Sequence, residues 1–163
     1  MDENTQRAVL LGKINSSENE LYEAIIDCGK YLSRNGNVEI IRPYLDHASP
    51  EIRSAAIFAL AFYWRVPEFE ETAKQMFYSE NDEDVKIKCL SAWCSYYWLT
   101  NDKNMIETLI KIVRNPDTTE WVKRAAYHKA FSVSKLPKNE HPDMFSEEID
   151  LNLLDKIIEI MNK

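Results

Sequence analysis

The sequence predicts an all-α fold of about four helical hairpins closed by a C-terminal helix. Three observations predict it. Only three glycines and six prolines occur in 163 residues, too little turn chemistry for an all-β chain of this size. Apolar residues make up 45% of the chain and recur at helical spacing, which excludes disorder. One helical segment also occurs in three gapless copies, the signature of a repeat array. The length suits one domain, residues 1–163.

The elements follow in chain order. A weak first hairpin is predicted from Glu3 to Ile14 and from Asn19 to Leu32, with Leu21, Ala24, Ile25 and Cys28 on the buried face. Amphipathic segments Val38 to Asp46, Glu68 to Ser79 and Asp102 to Arg114 each precede one copy of the repeated helix. The copies are Ser49–Leu60, Asp82–Trp93 and Thr119–Ala130, with anchors Ile52, Val85 and Val122 spaced 33 and 37 residues apart. Ser49, Asp82 and Thr119 are N-cap residue types, Pro50 falls at a first helical position, and Glu51, Glu83, Asp84 and Glu120 complement the helix dipole. Small residues at Ala55, Ala56, Ala59, Cys89, Ala92, Ala125, Ala126 and Ala130 let a partner helix approach closely. Leu136 to Pro142 reads as a loop. A closing helix, about 146–162, is expected to start at Ser146-Glu147-Glu148 and to bury Ile149, Leu153, Leu154, Ile157, Ile158 and Met161.

The run Asp46-His47-Ala48-Ser49-Pro50-Glu51-Ile52-Arg53-Ser54-Ala55-Ala56 resembles the HEAT repeat of the armadillo-type helical repeat proteins, in which an aspartate-bearing turn leads into an aliphatic-basic pair and small residues. Asp84-Val85-Lys86 and Trp121-Val122-Lys123-Arg124-Ala125-Ala126 are similar, although the second copy carries Lys88 where an alanine is expected. The resemblance spans residues 37–133 well and the flanks loosely. It implies a right-handed α-solenoid whose second helices line a concave face, and it says little about function.

On an ideal helical wheel the sides of those helices opposite the anchors carry Ile57, Phe58, Arg65, Leu90, Cys94, Trp98, Arg124, Tyr127, His128 and Phe131. These ten are the expected partner-binding residues. Ile57 to Trp64 and much of Leu90 to Leu99 are apolar on every side, and a two-layer stack leaves one side uncovered; exposed apolar surface of this kind marks interaction sites. Tyr63, Trp93 and Tyr96 fall on the partner-helix side and are expected in the core.

Catalytic, cofactor and metal sites are not expected. Cys89 and Cys94 lie about 140° apart on a helix, too far round to share a metal or a disulfide. His47, His128 and His141 have no companion at ligand spacing, no glycine-rich phosphate loop occurs, and the Glu80–Asp84 acidic run lacks the glycine and distal glutamate of a calcium loop. The three cysteines, the absence of an apolar leader and apolar runs no longer than ten residues point to the cytoplasm.

The charge of −7 favours a basic protein partner over nucleic acid or a membrane. The sequence therefore reads as a non-enzymatic binding module, most narrowly a cognate inhibitor, an immunity protein that neutralises a basic toxin, enzyme or nuclease. A general scaffold or adaptor, or a HEAT-like DNA glycosylase or chromophore lyase, are the alternatives.

Overall fold

Side-chain caps set four helix starts in the computed structural model, which describes residues 2–143 and 148–161. Nine α-helices and no strand occur among them: α1 Glu3–Leu10, α2 Glu18–Tyr31, α3 Val38–Ile41, α4 Pro50–Ile57, α5 Phe69–Ser79, α6 Glu83–Cys94, α7 Lys103–Arg114, α8 Glu120–Val133 and α9 Leu151–Met161. Asp2, Asp82 and Asp102 each accept a first-turn backbone N–H, and Ser17 with Glu20 forms a reciprocal capping box at α2. Ser49 stands at the N-cap of α4 as expected, but its hydroxyl donates to the Glu51 carboxylate at 2.7 Å. The expected ends of the closing helix, 146–147 and 162, lie outside the described residues. Within α9, Leu154 and Ile157 are buried as the stripe predicts, and Leu153 and Ile158 are half-buried.

The chain divides into two compact units between Tyr96 and Tyr97. In the first, α1 packs on α2, the turn after α3 packs on α4, and α5 packs on α6, while α2, α4 and α6 also touch side by side. The small residues make this contact possible. A Cβ on Gly29 of α2 would lie 2.8 Å from the Ala59 Cβ, so these backbones meet where no larger side chain fits. The helix begun by α4 does not end at Ile57 but widens into one π-helical turn, Phe58–Tyr63, with the Trp64 amide donating to the Ala59 carbonyl at 3.1 Å. In the second unit α7 pairs with α8, and α9 packs on α8. Ile106, Leu109 and Ile112 from α7 and Val122, Ala126 and Ala130 from α8 are all buried.

Two side-chain ties cross the first unit. Arg53 forks onto Glu80 with both nitrogen–oxygen distances at 2.8 Å, and also donates to the His47 and Ala48 carbonyls at 2.9 Å. The Ser95 hydroxyl donates to the Ala61 carbonyl at 2.9 Å, locking the end of α6 to the π turn. Trp93 is buried, as expected; Tyr63 and Tyr96 are half-buried, and the Tyr96 hydroxyl donates to the Val66 carbonyl at 2.7 Å.

Candidate functional site

The ten residues expected on an open face separate into two groups. Ile57, Leu90, Cys94, Tyr127 and Phe131 are buried, so the expectation of exposure is corrected for these five. The wheel assumed that each second helix keeps a free side. In the first unit the side-by-side contacts of α2, α4 and α6 cover that side, and the Ser95 tie presses the end of α6, with Cys94, against the π turn. In the second unit the chain after α8 folds back over it. Phe131 packs against the His141 ring at 5.8 Å and edge-on to Tyr127 at 5.1 Å, and the Asp150 backbone N–H hydrogen-bonds the Tyr127 hydroxyl, whose pKa burial pushes up.

Of the other five, Phe58 is half-buried, stacked on Phe62 at 4.3 Å, and Arg65 is exposed with φ +47°. Trp98, Arg124 and His128 belong to the second unit, and the helix brings the last two onto one face. At 100° per residue Trp121, Arg124, His128 and Ser132 share the outward side of α8, opposite the buried Val122, Ala126, Ala130 and Val133. Trp121 is 60% exposed because it stands in the first turn, and the Arg124 guanidinium lies over its ring at 5.1 Å from the centroid. Arg124 Nε is covered and lies 3.6 Å from Glu120, too far for a hydrogen bond. His128 is half-buried; desolvation, with Lys129 adding, lowers its pKa against the opposing pull of Asp143.

The far end of the same helix holds the corner that carries Trp98. The Leu99 and Asn101 amides donate to the Ser132 and Val133 carbonyls at 3.0 and 2.9 Å, which ties the corner to the last turn of α8. Leu99 adopts φ +56°, a left-handed conformation costly for a bulky side chain, and stands 51% exposed beside Trp98 at 53%.

The first unit offers a different surface, an open polar cleft of about 480 Å³ lined by Glu18, Asn19, Tyr22, Glu51, Ile52 and Lys88. Lys88, the departure from the repeat pattern, reaches across it. Its ammonium donates toward the Tyr22 hydroxyl at 3.3 Å and the Ser54 hydroxyl at 3.4 Å, and lies 5.0 Å from the centre of the Tyr22 ring. The Ser49 hydroxyl holds the Glu51 carboxyl below its ordinary pKa, so this wall carboxylate is anionic at neutral pH. Sequence reasoning missed this cleft and Trp121. Lys88 in an alanine column was the available signal for the first, and a tryptophan at a helix N-terminus for the second.

All three cysteines are buried thiols, and desolvation pushes Cys28 to about 11 and Cys89 to about 12. No group of three or more His, Cys, Asp or Glu at metal-binding distances occurs among the described residues, and no helix among them is long and apolar enough to cross a membrane. The chain matches no family model, no curated protein and no solved structure.

Proposed function

We propose that the chain is a HEAT-like helical repeat protein, a right-handed solenoid of about four hairpins with a capping helix, that binds another protein and catalyses no reaction. Its narrowest form is a cognate inhibitor, an immunity protein that neutralises a basic toxin or enzyme. The small-residue columns support the repeat architecture, as do the pairing of α5 with α6 and of α7 with α8 and the lateral row of α2, α4 and α6.

The observation that carries the functional reading is the cleft of the first unit. Glu18 and Glu51 stand on its walls in a stretch, residues 1–96, where sixteen acidic residues accompany ten basic ones. Such a surface attracts a basic partner over distance and offers carboxylates to its Lys or Arg side chains on contact. Lys88 leaves the cleft selective rather than merely negative: it repels an ammonium at one end and accepts a carboxylate there.

Affinity purification from the native host, followed by identification of the retained protein, tests this. The expected partner is basic, dissociates as salt is raised, and is lost about tenfold or more when Glu18 and Glu51 are both changed to Lys. Retention of a neutral or acidic partner that survives both substitutions overturns the reading.

A further inference from the structure

We infer that the outward face of α8, together with the Trp98–Leu99 corner, docks an acidic, apolar peptide segment of another protein. The site lies wholly in the second unit and does not depend on the cleft of the first.

Charge gives the first argument. The chain as a whole is acidic, yet from Lys103 to Lys138 eight lysines and arginines outnumber three acidic residues. The stretch from α7 through α8 to Lys138 is thus a basic island in an acidic chain. On the docking face itself the cations are few and fixed: the Arg124 guanidinium is stacked on Trp121, and Glu120, at 3.6 Å from its Nε, is a weak companion. A carboxylate from outside would meet a cation already held in place, so little side-chain freedom is lost on binding.

Apolar exposure gives the second. Trp121 at one end of the face, and Trp98 with Leu99 at the other, are large side chains more than half exposed. Tryptophan and arginine are the residue types that dominate binding energy at protein interfaces. The left-handed Leu99 backbone, anchored to the Ser132 carbonyl, keeps this corner projecting rather than folded onto the helix.

The distribution of charge favours a peptide over single-stranded nucleic acid. A backbone-tracking groove needs an aligned row of cations. Here Lys103, Lys111 and Arg114 lie on α7, Lys123 points away from the α8 face, and one side of the Trp121 ring is occupied by Arg124. An acidic segment with a few carboxylates between bulky apolar residues matches what the face presents.

Selection of a random peptide display library on the full chain tests the inference, with a folded Trp121→Ala, Arg124→Glu double variant as counter-selection. Trp121 is 60% exposed and the Arg124 side chain, 23% exposed, lies on the outward side of α8, so helical content by circular dichroism should be preserved. Enriched peptides should combine Asp or Glu with Leu, Phe or Trp, bind the double variant at least tenfold more weakly, and bind a Glu18→Lys, Glu51→Lys variant as the parent does. No enrichment over the double variant, enrichment of basic or neutral sequences, or displacement of the peptides by oligo-dT at physiological salt would each overturn it.

Discussion

Residues 1–96 and residues 97–163 carry ten basic side chains each, but sixteen acidic ones against eleven. Almost all of the net charge of −7 therefore sits in the first unit, and the second is close to neutral with a basic hairpin inside it. The units also expose different chemistry. The first shows a polar cleft bridged by Lys88; the second shows Trp98, Leu99 and Trp121 around a stacked arginine. Net charge describes how a whole molecule repels or attracts at a distance, but a docking face is set by the side chains within a few ångströms. One chain can therefore offer surfaces suited to partners of opposite sign.

The largest expected effect tests whether burial is alike in both units. Ile57 in the first and Phe131 in the second were expected on an open face and are core residues in the structure. Truncation to Ala should cost about 2–5 kcal/mol for Ile57 and about 3–5 kcal/mol for Phe131, read as a lower midpoint in urea denaturation. A loss under about 1 kcal/mol at either position would return that residue to the surface and make its unit the looser one.

These two residues also mark where the sequence stopped being legible. The helices themselves were readable: the segments Glu68 to Ser79 and Asp102 to Arg114 match α5 and α7 with their N-caps to within one residue, because apolar spacing and acidic starts are local signals. The face of each helix left open was not readable. Ile57 is covered by the side-by-side packing of α4 with α2 and α6, helices distant from it in sequence, and Tyr127 is covered by Asp150, which lies 23 residues further along the chain. Arg124 and His128, on the outward side of α8, and Trp98, in the corner before α7, keep accessible surface. The Arg53–Glu80 fork was invisible for a similar reason, since its partners are 27 residues apart and either residue alone suits a helix end.

That fork supplies the second comparison. Arg53 and Glu80 are 23% and 11% exposed, whereas Arg114 and Asp155, paired at 2.6 Å in the second unit, are 49% and 57% exposed. Arg53→Met removes two charge-assisted bonds and two carbonyl caps and leaves Glu80 partly desolvated, so about 2 kcal/mol of stability should be lost. Arg114→Met should cost no more than about 1 kcal/mol, with most of that vanishing in high salt. Equal losses in urea titrations of the two variants would mean that water screens both pairs alike, and the first unit would lose its claim to a tighter polar framework.

The smallest effect separates charge from geometry at two matched helix starts. Asp82 caps α6 through the Val85 amide at 3.0 Å, and Asp102 caps α7 through the Met105 amide at 2.8 Å. Replacing either with Ala removes the acceptor and should cost about 1 kcal/mol. Asn keeps the acceptor and removes the charge, so at neutral pH it reports only the electrostatic setting. Asp82 sits among Glu80, Glu83 and Asp84, where one more carboxylate is repelled as well as attracted by the helix dipole; Asp102 is followed by Lys103. Asp82→Asn should therefore be neutral or slightly stabilising, and Asp102→Asn should lose about 0.3–1 kcal/mol at low ionic strength, with the difference shrinking as salt is added. Matching responses from the two would show that the acidic excess of the first unit does not reach its own helix ends, and the contrast between the units would then be one of exposed faces alone.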